Sequence, residues 1–286
     1  MSLEVHALGA SVLVQDLGRP GWAHLGVPRS GALDRPAAAL ANRLVGNDPS
    51  AACLEVLLGG LVVTADAGAW VAATGAPCPV AIDGRAEAFG AAVRLPTGGQ
   101  LSLGRPSAGL RSYLAVGGGI DVPPVLGSRS TDTLGRLGPA PVAVGDVLPV
   151  GEGGSAPAPL DTPRTPLPGP LRVTPGPRAD RVVGDVLDLL ELTAYTVSPD
   201  SDRIGLRLVG EPLPLASYGT QAELPSEGVV LGSVQVPPDG RPVVFLADHP
   251  TTGGYPVVAL VEEDDLWRCA QLRPGERVEL RRAATR

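Results

Sequence analysis

Lysine is absent from this 286-residue chain, because all 23 residues counted as Lys or Arg are arginines. Schiff-base catalysis, the Walker A motif of P-loop NTPases and covalent attachment of biotin all need a lysine ε-amine. The chain therefore cannot be a P-loop NTPase or its own biotin carrier. Heavy use of alanine, glycine, proline and arginine is typical of a GC-rich genome, which is a simple cause for the absence.

Cysteine and histidine are also scarce, with three residues of each type. Cys53, Cys78 and Cys269 are far apart and set among apolar residues, which favours reduced, buried thiols over disulfides. No C-x-x-C, H-E-x-x-H or G-x-S-x-G motif occurs, and the histidines lack the spacing of metal ligands, so we expect no metal site. The sequence leaves open a catalytic Ser/His/Asp set whose members come together only in the folded protein.

Basic surface charge, a signal sequence and a long apolar run are missing as well. The formal net charge is −7 with a pI near 5.0, whereas nucleic-acid-binding proteins usually present a basic face. The start, "MSLEVHALGA", has neither the basic nor the apolar region of a signal peptide, and no apolar run reaches about 20 residues. We expect a cytoplasmic protein that binds neither nucleic acid nor a membrane.

Short runs rich in β-branched residues recur between glycines and prolines and predict an all-β fold with few helices. The runs are 11–15, 61–65, 70–74, 113–117, 141–150, 171–175, 203–210, 228–237, 242–247, 255–261 and 277–281. Both halves of the chain end with a similar sequence pattern. The segments "VGDVLPV" (144–150) and "PGERVEL" (274–280) each place a glycine and an acid in a turn before a strand. This similarity favours two related barrels.

The stretch "GEGGSAPAPLDTPRTPLPGP" (151–170) has no periodic pattern and is typical of an interdomain linker. A chain of 286 residues is also long enough for two domains. We therefore predict an N-terminal domain over 1–150, a linker over 151–170 and a C-terminal domain over 171–286.

Three segments have helical patterns. In the first, Asp34 can cap the N terminus, Pro36 is tolerated in the first turn and Gly46 can end the helix. The second is "ADRVVGDVLDLL" (179–190). The third is "EEDDLWRCAQL" (262–272), whose acidic first turn suits the helix dipole.

Polar residues gather in three segments rich in glycine and proline. The first holds Asp16, Arg19, His24, Arg29, Ser30 and Asp34; the second is "GSRST" (127–131); the third runs from Gln235 through "ADHPTTGGY" (247–255). Glycines let a ligand approach the backbone, and the arginine fork matches carboxylate or phosphate, so such segments suit small anions. Taken singly, each segment is better explained as a barrel-end turn, with Asp16 pairing to Arg19 and Asp34 only capping a helix.

Four motifs occur together in one order: "QDLGRPGWAHLGVPRSGALDRPAAALANRLVGN", "YLAVGGGIDVPPVLGSRST", "SPDSDRIGLRLVG" and "GSVQVPPDGRPVVFLADHPTTGGYP". This combination resembles the biotin-dependent carboxyltransferase family, which includes allophanate hydrolase subunit 2, KipA and the C-type subunit of ATP-dependent 5-oxoprolinase. The resemblance covers nearly the whole chain. It implies two cyclophilin-like β-barrel domains, a KipI-like partner that corresponds to the B-type subunit of 5-oxoprolinase, and a LamB/YcsF-like subunit as a further partner.

The resemblance also implies site residues at the positions that match the motifs. Arg19 and Arg129 are the electrostatic candidates, and Asp34 and Asp248 are the acid/base candidates, because burial in a glycine-rich cleft can raise a carboxyl pKa. Gly31 and Pro237 match the motifs without an assigned role. The expected substrate-binding residues are Asp16, Asn42, Ser128, Ser130, Thr131, Gln235, Thr251, Thr252, Gly253, Gly254 and Tyr255.

The chain departs from the family pattern at two positions. Pro250 stands where a glutamine often precedes the threonine pair, and Val257 stands where a lysine commonly follows "GGYP". If that lysine neutralises a substrate charge in relatives, an arginine must replace it here or the substrate differs.

Three functions follow from the resemblance. The favoured one is a subunit of an ATP-dependent 5-oxoprolinase-like complex that opens 5-oxoproline to glutamate, with ATP and Mg bound in the assembled complex and shared with a partner. The second is a carboxyltransferase acting on urea-like amides with a separate biotin carrier. The third is a non-catalytic KipA-type regulator that binds a KipI-like partner. A stand-alone chain without fused carboxylase segments favours the first.

Overall fold

The computed structural model describes residues 1–153, 157, 169–216 and 224–284. Most of the predicted linker, 151–170, lies outside these described residues. None of the helices in the described ranges is long and apolar enough to cross a membrane.

The described residues form two compact units. The N-terminal unit contains residues 1–19 and 30–132 and continues from 136, whereas the C-terminal unit holds most of the second half of the chain. Two segments of the first half, 20–29 and 133–135, belong to the C-terminal unit. The predicted domain bounds stay a prediction.

The N-terminal unit is built from antiparallel strands. They are β1 (Ser2–Ala7), β2 (Ser11–Gln15), β3 (Cys53–Leu57), β4 (Val62–Ala65), β5 (Ala69–Gly75), β6 (Val80–Ile82), β7 (Arg85–Glu87), β8 (Val93–Leu95), β9 (Gln100–Leu103), β10 (Arg111–Val116) and β11 (Val147–Pro149). A six-stranded sheet has the order β11-β1-β4-β9-β6-β7, and a five-stranded sheet has the order β2-β3-β10-β5-β8.

Alternate side chains of the five-stranded sheet point to its two faces, and both faces are buried. Leu54 of β3 and Leu114 of β10 belong to the large core shared with residues of the six-stranded sheet such as Leu101. Tyr113 and Ala115 point to the opposite face and pack against helix α1 (Arg35–Leu44). Because both faces are covered, β3 and β10 are buried at almost every position.

The C-terminal unit contains a nearly closed barrel. Its strands are β12 (Leu171–Pro175), β13 (Tyr195–Val197), β14 (Gly205–Val209), β15 (Glu227–Gly228), β16 (Ser233–Gln235), β17 (Val243–Phe245), β18 (Thr252–Gly253), β19 (Val257–Val261), β20 (Arg277–Val278) and β21 (Leu280–Arg282). An eight-stranded sheet has the order β20-β13-β14-β17-β16-β19-β12-β21. Its two edge strands, β20 and β21, are separated by only Glu279, so the chain itself brings the edges together.

These elements confirm the predicted fold class, all-β with β barrels and few helices. The predicted runs at 11–15 and 171–175 coincide with β2 and β12. Within the run at 141–150 only β11 is a strand, and the turn predicted before it is confirmed: the chain turns at Gly145 (φ +91°), where the Asp146 carboxylate accepts a bond from the Ala143 N–H at 2.8 Å.

The helical predictions have mixed outcomes. Helix α1 begins after Asp34, whose side chain accepts a 3.0 Å bond from the Ala37 N–H, and ends before Gly46 as predicted. A continuous helix over 179–190 is wrong, because Gly184 (φ +100°) interrupts it and α2 (Val186–Leu192) begins at its own cap, Asp185. The third segment forms a 3-10 turn followed by the short α3 (Leu266–Cys269).

Candidate functional site

Asp16 joins the first and second polar segments within the N-terminal unit. Its carboxylate accepts hydrogen bonds from Ser128 Oγ at 2.6 Å, Ser130 Oγ at 2.5 Å and the Arg129 N–H at 2.6 Å. It also accepts a 2.7 Å bond from the Gly18 N–H, and its own N–H donates to Ser130 Oγ at 2.9 Å. These predicted binding residues therefore use their polar atoms to fix the two loops against each other.

Arg19 lies beside this junction and is almost completely buried, at 1% exposure. Its Nη2 donates to the Ser130 carbonyl, and its Nε donates to the Val125 carbonyl at 3.4 Å. Nη1 is buried without a hydrogen-bond partner among the described residues. The expected Asp16–Arg19 pair does not form, because the Asp16 oxygens are taken by the loops.

Asp34 sits at the start of α1 above a buried polar chain. Its N–H donates to Tyr113 Oη at 2.7 Å, and that hydroxyl donates to Glu55 Oε2 at 2.8 Å. Glu55 also accepts the Leu33 N–H at 3.0 Å and faces Arg111 at 3.4 Å. Burial, followed by the negative charges of Glu55 and Asp34, raises the Tyr113 pKa well above its usual value, so Tyr113 stays a protonated donor.

Two further predicted binding residues, Asn42 and Thr131, are buried. Asn42 Nδ2 donates to the Ala51 carbonyl at 2.7 Å, and Asn42 Oδ1 accepts from Asn47 Nδ2 at 3.1 Å. These bonds connect α1 to the following loop. The Thr131 carbonyl accepts from Gln15 Nε2 at 2.9 Å, whereas its Oγ1 is buried without a partner among the described residues.

Arg129 differs from Arg19 in its surroundings. Its guanidinium is partly exposed and pairs with the exposed Asp121 at 2.7 Å. A pair of this kind is screened by water and contributes little to stability.

In the C-terminal unit, Asp248 is completely buried and forms an ion pair with Arg203. Arg203 Nε donates to Oδ2 at 2.9 Å, and Arg203 Nη2 donates to Oδ1 at 3.1 Å. Thr133, from the first half of the chain, adds its N–H at 3.0 Å and its hydroxyl at 2.7 Å to Oδ2. The carboxylate thus receives four hydrogen bonds.

These contacts reverse the expected pKa shift of Asp248. Burial raises the pKa, but the positive charge and hydrogen bonds of Arg203, with the bonds from Thr133, outweigh burial and hold the pKa below 3.8. The expectation of a raised pKa is therefore wrong for Asp248. A carboxylate that stays ionised and fully bonded holds Arg203 in place and is poorly suited to donate a proton near neutral pH.

His249, the next residue, is buried against Phe245. The two rings stack with centroids 5.8 Å apart, and His249 Nδ1 lies 2.6 Å from the Pro250 carbonyl. Burial lowers the His249 pKa, because the charged imidazolium is poorly solvated there.

The "TTGGY" segment is held by Gln235. Gln235 Nε2 donates to the Tyr255 carbonyl at 3.0 Å, and a Cβ on Gly253 would lie 2.6 Å from the same nitrogen, so a side chain at residue 253 would displace the Gln235 amide. Thr252 and Gly253 form β18, which pairs with β15. Thr251, Gly254 and Tyr255 are partly exposed beside this short hairpin.

The structure divides the first polar segment between the two units. His24 and Arg29 lie in the part of the chain, 20–29, that belongs to the C-terminal unit, where His24 stacks on Trp22 with centroids 6.1 Å apart. A Cβ on Gly26 would lie 4.0 Å from Thr251 Oγ1, so this loop contacts the "TTGGY" segment. Asp16, Arg19, Ser30 and Asp34 belong to the N-terminal unit.

Val257 lies in the apolar core of the C-terminal unit with Val229, Val243 and Phe245. This departure from the family pattern therefore places no charge at that position. The three cysteines are free and buried, and burial raises the pKa of each, that of Cys269 to about 12. The described residues contain no group of three or more metal-ligating side chains.

Sequence reasoning missed Glu55, Tyr113, Thr133 and Arg203. Glu55 is the single acid in the apolar strand "CLEVL", which is a signal for a buried polar contact. Arg203 lies inside the motif "SPDSDRIGLRLVG" but had no role assigned. Tyr113 is the first residue of the motif "YLAVGGGIDVPPVLGSRST" but likewise had no role assigned, and nothing local in the sequence marks Thr133.

Comparison with known proteins gives consistent similarities. Residues 25–282 match the family model described as carboxyltransferase domain, subdomain A and B. The chain is 40% identical over 278 residues to the C-type subunit of 5-oxoprolinase from Escherichia coli, covering 96% of this chain and 89% of that protein.

Two solved structures share the fold over 99% of this chain. TTHA0988 is 40% identical with a TM-score of 0.88, and this chain spans 56% of it. The urea amidolyase of Kluyveromyces lactis is 31% identical with a TM-score of 0.90, and this chain spans 19% of it. The expected family resemblance is confirmed.

Proposed function

Because the chain belongs to the family of carboxyltransferase domains with subdomains A and B, we propose that it is a subunit of an ATP-dependent amide hydrolase that opens 5-oxoproline to glutamate. The similarity to the C-type subunit of E. coli 5-oxoprolinase carries the proposal, since it extends over 89% of that protein. By contrast, the chain corresponds to only 19% of the urea amidolyase. The cytoplasmic location remains our prediction.

The chemistry requires activation of a lactam, whose amide carbon is stabilised by resonance. Transfer of the γ-phosphoryl group of ATP to the lactam oxygen releases ADP and makes the ring carbon open to attack by water. Cleavage of the ring C–N bond then gives the glutamate amine and leaves an acyl phosphate at the former lactam carbon, and a second water hydrolyses the acyl phosphate to the glutamate carboxylate and inorganic phosphate. Fixed donors that face the developing negative charge accelerate such steps.

This chain's own residues fit the binding of the amide better than the binding of ATP. Arg19 supplies a buried cation held in place by backbone carbonyls, and Asp34 remains our acid/base candidate. The sequence has neither a Walker A lysine nor, among the described residues, a cluster of metal ligands. We therefore propose that residues of the KipI-like and LamB/YcsF-like partners complete the shared site for Mg-ATP.

The structural similarity to urea amidolyase supports one alternative. In that case the chain transfers a carboxyl group to a urea-like amide and needs biotin on a separate carrier, since it has no lysine to hold biotin. The third candidate function is a KipA-type regulator that only binds its KipI-like partner. The assay must distinguish this regulator from the two enzymes.

Reconstitution tests these functions. The chain alone, the chain with the KipI-like partner, and both with the LamB/YcsF-like subunit are assayed for 5-oxoproline-dependent release of ADP and glutamate. We expect turnover only in the complete set. Substantial turnover by the chain alone would falsify the shared ATP site. If the complete set of subunits shows no turnover although the subunits still bind each other tightly, the result would support the regulator. Carboxylation of urea in the presence of a biotin carrier would support the carboxyltransferase.

A further inference from the structure

Arg19 stands apart from the other buried arginines of the described chain. The buried arginines there are Arg19, Arg111 and Arg203. Arg203 is paired with Asp248 at 2.9 Å, and Arg111 faces Glu55 at 3.4 Å. Arg19 has no carboxylate partner among the described residues, although it is the most deeply buried of the three. A buried cation without a counter-charge is strongly unfavourable, so the site is electrostatically incomplete.

The bonds that Arg19 does make show which side of the guanidinium is available. Nη2 is bound to the Ser130 carbonyl, and a Cβ on Gly138 would lie 3.1 Å from Nη2, so protein fills that side. Nε is directed at the Val125 carbonyl at 3.4 Å. Of the three guanidinium nitrogens of Arg19, only Nη1 has no hydrogen-bond acceptor among the described residues.

Other unsatisfied polar atoms lie on the same segments of the N-terminal unit. Gln15 Oε1, Ser30 Oγ and Thr131 Oγ1 are buried without hydrogen-bond partners among the described residues. Buried polar groups in folded proteins are normally satisfied by protein, water or ligand. Their concentration around the Asp16 junction indicates that these segments are built to hold a polar group.

We propose that Arg19 Nη1 binds a carboxylate oxygen of the substrate, which makes this part of the N-terminal unit a subsite for a carboxylate-bearing amide. The inference rests on the proposed function and assigns to Arg19 the carboxylate of 5-oxoproline, a group that urea lacks. Nη1 is shielded from water, and a charge-assisted hydrogen bond is strongest in such an environment. Binding there compensates the buried cation, whereas the net charge of −7 disfavours unspecific uptake of anions.

A pair of ligands tests the carboxylate directly. 5-Oxoproline and 2-pyrrolidinone have the same lactam ring, but only the first carries a carboxylate. Calorimetric titration and thermal unfolding are measured on the full chain and on the assembled complex, with sodium phosphate and bicarbonate as inorganic oxyanions. We expect 5-oxoproline to bind and to raise the unfolding temperature with concentration, and 2-pyrrolidinone to do neither.

Variants assign the effect to Arg19. Arg19→Met should weaken 5-oxoproline binding by about 10- to 100-fold, the usual effect of losing a hydrogen bond to a charged group. Arg85→Met is the matched control, because Arg85 lies on the exposed strand β7 of the same unit and has no role in the site, and it should change affinity less than about 2-fold. Arg19→Lys keeps the positive charge but loses the planar guanidinium group with its several N–H donors. This variant replaces Arg19→Met if the latter does not fold, and it should bind 5-oxoproline with intermediate affinity.

Several results would overturn the proposal: equal binding of the two lactams, unchanged 5-oxoproline affinity in both Arg19 variants, or stabilisation by phosphate or bicarbonate alone. The proposed function fails separately. If the complete complex hydrolyses 5-oxoproline and the Arg19 variants leave KM unchanged, the subsite is wrong and the function stands. If 5-oxoproline binds through Arg19 but the complex does not convert it, the subsite stands and the function is wrong.

Discussion

Replacing Asp248 with asparagine removes the negative charge from the buried ion pair that Asp248 forms with Arg203 in the C-terminal unit. Asp248 is 0% exposed and Arg203 is 6% exposed. The carboxylate accepts four hydrogen bonds, two from Arg203 and two from Thr133. Asparagine preserves the volume but presents an NH₂ group where donors now converge. It also removes the carboxylate that pairs with the buried Arg203 cation.

The size of the effect follows from this geometry. Removing one partner of a buried ion pair costs about 3–5 kcal/mol, because the other charge stays desolvated. Asp248→Asn should therefore lower the free energy of unfolding by that amount. The double variant Asp248→Asn/Arg203→Met removes both charges, and we expect it to recover at least about 1 kcal/mol relative to Asp248→Asn alone.

The same pair gives a pH dependence with a definite sign. Arg203 and Thr133 hold the Asp248 pKa in the folded protein below 3.8, so the folded state favours the ionised form. The stability that this provides is present above pH 3.8 and is lost as the pH falls through the lower pKa of the folded state. The stability difference between the wild type and Asp248→Asn should accordingly be constant near neutral pH and shrink below pH 3.8.

Urea denaturation combined with hydrogen exchange in β14 and β17 measures this loss, since these strands flank Arg203 and Asp248. Asp239→Asn is the matched control in the same unit, because Asp239 is exposed and its loss should change stability by less than about 0.5 kcal/mol. A loss below about 1 kcal/mol for Asp248→Asn, or no coupling to Arg203→Met, would refute the reasoning.

Three further predictions concern the remaining parts of the chain. Asp34→Ala should cost about 1 kcal/mol through loss of the helix cap, whereas Asp34→Asn should keep stability but lower kcat of the assembled enzyme; full turnover in the Asn variant would leave Asp34 as a cap only. Gly31→Ala should be much more destabilising in urea unfolding than Gly84→Ala. Both have positive φ, but a Cβ at Gly31 would lie 2.7 Å from a backbone nitrogen and one at Gly84 meets nothing within 4 Å, so equal losses would contradict this account. Limited proteolysis should cut within 151–170 and leave two stable fragments; cleavage mainly elsewhere would count against the predicted domains.

Local patterns in the sequence determined much of the secondary structure. Strands β2 and β12 coincide with their β-branched runs, and α1 lies between Asp34 and Gly46, because strand propensity, capping and left-handed glycine are short-range effects. In the run 141–150 the predicted turn at Gly145 and Asp146 is present before β11, and it leaves only Val147–Pro149 as a strand. The absence of lysine excluded whole mechanisms before any fold was known.

Only the tertiary structure decided the electrostatics of the candidate site. Asp16 and Arg19 are three positions apart and were expected to pair, yet Asp16 bonds to residues 128–130 and Arg19 is left without a carboxylate among the described residues. The pKa of Asp248 is lowered because Arg203, 45 residues away, and Thr133, 115 residues away, converge on it. Burial and charge compensation depend on which distant segments pack together, and no local sequence pattern specifies those partners.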